Sequence, residues 1–248
     1  MAMIRVNNTT RKYGKLTAVD DVSFEVHKNE IVGFVGPNGA GKSTMLKMLS
    51  TFLLPNEGRI EIDGIDVERN PLAIRRLIGY LSGDTPLYEE MRVDSFLKFI
   101  GKARNLHGEE LQTQFDRVIE LCSLQEVLYQ RVNECSTGFR QRIGLATALI
   151  HDPPILLLDE PTHGFDPMQV LAFREMLRSL RHDRAILFST HIIADVEAVS
   201  DRVLIIHQGK ILGDGSVNDL GKQNGIPDAG LEQIFAHSIK NHIPTQHH

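Results

Sequence analysis

The sequence predicts an α/β fold: a mainly parallel sheet covered on both faces by helices, an N-terminal antiparallel β portion, and an inserted helical subdomain. Three patterns predict it. Buried-strand runs alternate with helical stretches in the C-terminal half, the N-terminal segment alternates apolar and polar residues, and residues 84–150 switch to helical periodicity.

Met3 to Val6 and Val22 to Val26 have strand composition, the second as the alternating VSFEV, and Ile31 to Gly36 reads as a buried strand. The turn HKNE between the last two predicts an antiparallel opening. RIEID, from Arg59 to Asp63, alternates and runs into Gly64, a half-exposed strand followed by a turn. In the insertion, Phe96, Leu97, Phe99, Ile100 and Ala103 form one apolar stripe. Leu111, Phe115, Val118, Ile119 and Cys122 form another across a loop near Gly108, and a last helix runs through Ile143 to Leu149. Ile155 to Leu158, Ala185 to Phe188 and Val203 to Ile206 are three further buried strands. Between the first two a helix starts at Asp166-Pro167, Asp as N-cap and Pro at the first helical position. Its Val170, Leu171, Phe173, Leu177 and Leu180 are expected to face the sheet. The chain reads as one domain, 1–248, ending in a weakly patterned tail, 218–248. The tail's His237, His242, His247 and His248 are expected to be solvated rather than metal-binding.

At 248 residues, 42% of them hydrophobic, the chain has the length for one large α/β domain. Its 27 basic against 32 acidic residues leave a formal charge of −5, which argues against a surface that neutralises many nucleic-acid phosphates. Cys122 and Cys135 form no CxxC pair and read as reduced packing residues. No apolar run approaches the roughly 20 residues that cross a bilayer. If the protein acts at a membrane it must do so through a partner, and the reduced cysteines suit a cytosolic chain.

The segment from Gly36 to Thr44, GPNGAGKST, fits GxxxxGK[ST] completely, between the strand IVGFVG and the helical TMLKMLS. Gly36, Asn38, Gly39 and Gly41 let the loop curl so that backbone N–H groups point inward, toward phosphates, at the positive end of the next helix. Lys42 would reach phosphate oxygens, Ser43 would give its hydroxyl to Mg²⁺, and Thr44 would support the α-phosphate end. The core is thus a P-loop NTPase. In ILLLDEP, residues 155–161, Asp159 emerges at a strand end to hold Mg²⁺, directly or through water, and Glu160 lies beside the nucleotide to activate water. His191, closing AILFST, can hydrogen-bond the γ-phosphate and the attacking water.

Taken together these motifs resemble, in order, those of the ATP-binding subunit of ABC transporters, over nearly all of the chain from Ile4 to about Gly215. GPNGAGKST resembles the Walker A loop, ILLLDEP the Walker B strand with Glu160 as catalytic base, and STH at 189–191 the switch histidine. HGFDP at 163–167 resembles the D-loop, with Asp166 as its aspartate. The resemblance implies that Tyr13 stacks on adenine. It also implies that the loop CSTGF, through Ser136 and Gly138, clamps the ATP of an opposite subunit, so that two subunits close on two ATPs. Cys135, Thr137 and Phe139 depart from the family's usual Leu, Gly and Gln there. The S-x-G run followed by a basic residue and QR resembles the branch serving ABC-2-type export permeases, and residues 83–104 fall where the family docks its permease. A second departure is Gly83, where the family offers a Gln to Mg²⁺. Either Asp84, a water or backbone substitutes, or the glycine serves a positive φ.

The resemblance implies an ATPase, using ATP and Mg²⁺, that powers a separate integral membrane permease for export. The alternative is a soluble cassette ATPase acting on ribosomes or nucleic acid. The single Walker A, the short insertion and the charge of −5 weigh against it, and no direct nucleic-acid partner is expected.

Overall fold

A computed structural model describes residues 2–83 and 85–242. The chain opens with a long antiparallel hairpin, β1 (Ala2–Tyr13) and β2 (Leu16–His27), turning at Gly14. The strand β3 (Glu30–Val35) leads through the phosphate loop to α1 (Lys42–Leu49). Strands β4 (Glu57–Ile62) and β5 (Ile65–Asp66), helix α2 (Pro71–Leu77) and strand β6 (Ile78–Leu81) follow. The helical insertion carries α3 (Val93–Ala103), α4 (Gly108–Leu121) and α5 (Thr137–Leu149). The alternating part then runs β7 (Ile155–Asp159), α6 (Pro167–Leu180), β8 (Ala185–Thr190), α7 (Ile193–Val199), β9 (Arg202–His207) and β10 (Lys210–Gly215). It ends in α8 (Val217–Gln223) and α9 (Leu231–His242).

The strands form two sheets, β2-β1-β4-β5, all antiparallel, and β10-β9-β3-β8-β7-β6, parallel except for the edge strand β10. The antiparallel opening is therefore made by β1 with β2, and not across HKNE. The physical reason lies in the two burial patterns. Val22, Phe24 and Val26 alternate with more exposed residues, which suits a sheet with one wet face, whereas Ile31 to Val35 are buried throughout, which suits a central strand between β8 and β9. Asn29, at φ 65°, turns the chain from one sheet into the other.

Period-two alternation on the central strands divides the core into two layers. Val32 and Phe34 of β3, with Ile155 and Leu157 of β7, face α1 and the antiparallel sheet. Ile31 and Val35, with Leu156 and Leu158, face the helices of the insertion and α6.

Two expectations shift. On α3, Phe99 is 45% exposed and Ala103 is exposed; the buried stripe is Val93, Phe96, Leu97 and Gly101. A Cβ at Gly101 would lie 2.4 Å from a Leu111 methyl of α4, so this face of α3 is pressed against α4 and Phe99 points outward against Tyr88, edge to face at 5.6 Å. On α6, Leu171 is half exposed and Met176 takes a core place beside Phe173, Leu177 and Leu180. The last helix of the insertion runs through Ile143 to Leu149 as expected and starts earlier, at Thr137, because Ser136 caps it. The weakly patterned tail is nevertheless ordered over the described residues: Leu220, Leu231 and Ile234 are fully buried against α7 and β10, spaced over two short helices rather than along one readable stripe. His237 is half-buried and His242 exposed, and among the described residues no cluster of three or more His, Cys, Asp or Glu side chains is placed to hold a metal ion. His247 and His248 lie outside them. Cys122 and Cys135 are buried and unpaired, burial pushing the Cys122 thiol up to about 12. Among the described residues no helix is long and apolar enough to cross a membrane.

Candidate nucleotide site

The parallel strands end on one edge of the sheet, and the chemistry collects there. Past β3 the loop passes so close to its neighbours that side chains are excluded at two glycines. A Cβ at Gly36 would lie 2.4 Å from the Ile206 carbonyl oxygen, and one at Gly41, which also has φ 110°, 2.3 Å from that of Ala18. Gly41 delivers the chain into α1, whose first turn leaves the N–H groups of Lys42, Ser43 and Thr44 without helical acceptors. That is an anion site by construction.

Lys42 is buried, its Nζ donating to the carbonyl oxygens of Gly36 at 2.7 Å and Pro37 at 3.1 Å. Burial pulls its pKa below the usual lysine value, and the charges of Glu160 and Asp159 partly oppose this. A Glu160 carboxylate oxygen lies 3.7 Å from Nζ.

Asp159 is the last residue of β7, is 3% exposed, and accepts a hydrogen bond from the Ser189 hydroxyl opposite it on β8. Glu160 follows with a left-handed φ of 48°. Its N–H donates to the Ser189 carbonyl at 3.0 Å, and its carboxylate meets Nδ1 of His191 at 3.0 Å. His191 stands one residue beyond β8.

Two neighbouring clefts share Ser43 and Glu160. One runs from the half-exposed Tyr13 past Leu16 and Ala18 to Asn38, Gly39, Gly41, Lys42 and Thr44. Arg11 covers the Tyr13 ring, its guanidinium carbon 5.0 Å from the centroid. The other holds Lys47, Ser82, Gly83, Asp159 and His163. A Cβ at Gly83 would meet nothing closer than the Asp159 carboxylate at 3.8 Å, and its φ is not left-handed, so backbone strain is not why glycine stands there. Asp84, the suggested substitute ligand, lies outside the described residues.

Ser136, Gly138 and Asp166 do not line either cleft. Ser136, exposed, caps α5 by accepting from the Phe139 N–H at 3.3 Å, and Gly138 is buried against Gln169. Asp166 caps α6 by accepting from the Gln169 N–H at 2.9 Å, with the Gln169 side chain answering to the Asp166 N–H at 3.4 Å.

Sequence reasoning missed two residues. Ser189 lies within AILFST, and its register with Asp159 appears only once the strands pair. Gln141, on α5, donates from Nε2 to the carbonyl oxygens of both Glu160 and Pro161 at 3.2 Å. A glutamine in FRQR carries no local sign of that contact.

The family model described as ABC transporter matches residues 19–163. The chain is 37% identical over 239 residues to the ABC transporter ATP-binding protein NatA of Bacillus subtilis, covering 94% of this chain and 96% of that one. It is 35% identical over 224 residues to the bacitracin transport ATP-binding protein BcrA of Bacillus licheniformis, covering 90% and 72%. A solved structure of an ATP-binding subunit of an ABC transporter superposes with a TM-score of 0.89 at 28% identity, covering 96% of this chain and 99% of that one. The dimeric post-hydrolysis state of an ATP-binding cassette, bound to ADP and Pi, superposes with a TM-score of 0.80 at 25% identity, covering 86% and 98%.

Proposed function

Because this chain belongs to the ABC transporter family, as an ATP-binding and hydrolysing subunit, we propose that it works as a homodimer and drives an ABC-2-type export permease held in a separate chain. In this reading it sits in the cytoplasm, peripheral to the membrane through that permease, with residues 84–150 as the helical subdomain. The separation of Ser136 and Gly138 from the cleft of Lys42 carries the proposal. An exposed hydroxyl on a helix N-terminus, with no role in its own chain's cleft, fits a γ-phosphate brought by a second copy. The dimeric relative captured with ADP and Pi supports the same closure. Export is supported by the relative named for bacitracin transport and by Ser136-Thr137-Gly138 followed by Arg140-Gln141-Arg142.

Within the cleft, the curled loop and the N–H groups of α1 receive the phosphates, with Lys42 leaving the carbonyls of Gly36 and Pro37 for phosphate oxygens. Tyr13, covered by Arg11 on one face, offers the other to the adenine ring. The buried, hard oxygen of Asp159, facing a cleft with the hydroxyl of Ser43, fits Mg²⁺. That ion, when bound, would neutralise charge on the phosphates. Glu160 accepts the proton of the attacking water as the water oxygen bonds to the γ-phosphorus and the bond from that phosphorus to the bridging oxygen breaks, ADP leaving with the electron pair, and His191 holds the Glu160 carboxylate through Nδ1. Phosphate release then reopens the dimer, a population shift that a docked permease feels.

The Glu160→Gln variant tests this. It keeps the shape of the side chain and should bind ATP, form an ATP-dependent dimer by light-scattering mass, and release phosphate about 1000-fold more slowly. Rapid turnover, or a monomer at saturating ATP, would overturn the proposal.

A further inference from the structure

The hydrogen bonds from Gln141 to the backbone at Glu160 have no part in the mechanism above, yet they join the two halves of the subunit at its reacting end. The Gln141 side chain leaves α5 and donates from one nitrogen to the carbonyl oxygens of Glu160 and Pro161, each at 3.2 Å. Those carbonyls directly follow the Cα of a residue in a conformation that L-amino acids seldom adopt: Glu160 has φ 48°. Such a residue is held by what surrounds it. On one side the Glu160 N–H is fixed to the Ser189 carbonyl at 3.0 Å. On the other, Gln141 supplies the contact from the insertion. Between these anchors the carboxylate reaches His191 at 3.0 Å and stands 3.7 Å from the Lys42 ammonium. A peptide rotation at Glu160 would swing the carboxylate off both.

We propose that Gln141 is a positioning residue for hydrolysis: it holds the Glu160 backbone in its left-handed turn, so that water activation depends on where α5 sits relative to the sheet. The same helix begins with Ser136 and Gly138. A displacement of α5 by whatever engages that loop is transmitted through one side chain to the backbone of the general base. This rests on Glu160 being the base, and the test separates the two ideas.

The test compares isosteric and donor-retaining variants of the full chain. Gln141→Met keeps length and loses the donor, and Gln141→Glu places a carboxylate against two carbonyl oxygens. Gln141→Met should lower kcat by about tenfold with KM for ATP and the thermal midpoint unchanged, and Gln141→Glu should lower kcat at least as much, with some loss of stability from the opposed oxygens. Gln141→Lys keeps an N–H donor and should recover most of the loss. In a Glu160→Gln background, Gln141→Met should lower the residual turnover no further, since the two residues act as one unit. If Glu160→Gln abolishes turnover while Gln141→Met leaves kcat intact, the positioning role alone is wrong. A rise in KM with a fallen thermal midpoint overturns it in favour of plain packing. Unimpaired turnover of Glu160→Gln by itself overturns the general-base reading, whatever Gln141 does.

Discussion

The edge of the parallel sheet and the start of α5 carry equally motif-like sequence, yet they are held in opposite ways. At the sheet edge Lys42 and Asp159 are buried and tied to partners of their own chain. Asp159 and its partner Ser189 sit opposite each other on β7 and β8, and Lys42 follows the phosphate loop that leaves β3, itself in register with β8, so backbone ladders set where the loop starts and where the carboxylate stands. At the start of α5, Ser136 and Thr137 are exposed, and among the described residues the serine hydroxyl bonds only as a cap to its own helix. A polar group that is buried must find its partner during folding, whereas an exposed one can wait for another surface. One region is finished by folding, and in the proposed dimer the other is finished by association.

The comparison breaks most sharply at Lys42. Lys42→Ala removes the buried ammonium of the finished region and should weaken ATP binding about 100-fold by calorimetric titration. Ser136→Ala, in the unfinished region, should leave the affinity of the monomer unchanged. Equal losses from the two would show that both regions act within one chain.

A smaller effect is expected where the two regions are hinged. His151 follows α5 and leads into β7, and its Nε2 lies 3.1 Å from the Ile78 carbonyl oxygen of β6. Burial, then the nearby Arg104, pushes its pKa down from 6.5 to about 4. Between those values the unfolded chain holds the proton and the folded chain does not. Stability from this group is therefore complete above pH 6.5 and falls as the pH drops toward 4, by about 2 kcal/mol for a ring that keeps some contact with solvent. Urea midpoints measured from pH 7 to 4 should decline less for His151→Gln than for the parent. Parallel declines would assign acid sensitivity elsewhere.

The least expected change is at Gly83, beside Asp159 in the finished region. The strand end admits a side chain there, so Gly83→Gln should fold normally. It should raise kcat by about two- to threefold while lowering the Mg²⁺ concentration for half-maximal rate. No change in Mg²⁺ dependence would mean that a glutamine at this place does not reach the metal.

Much of the site was legible because its chemistry is written in contiguous runs. GPNGAGKST and ILLLDEP each set strand, turn and functional residue within a single local stretch, and burial periodicity marked the strands that carry them. Gln141 and Ser189 were not legible, since their partners lie 19 and 30 residues away and meet them only across packed elements. The misassigned core residues fail for a related reason. Phe99 and Leu171 are apolar at roughly helical spacing, and only the close approach of Gly101 to Leu111, or the place of Met176 on α6, selects which stripe turns inward.

By itself, then, the sequence determined the α/β class, the phosphate loop with its lysine, the acidic strand end and the capped start of α6. Each of these rests on backbone conformation or side-chain chemistry within a few residues. Tertiary structure alone decided that β2 and β3 part into separate sheets, that the tail packs as two helices, and that Glu160 is held in a left-handed turn between Ser189 and Gln141. Those outcomes depend on which surfaces meet, and the free energy of burying one face against another belongs to the pair and to neither segment alone.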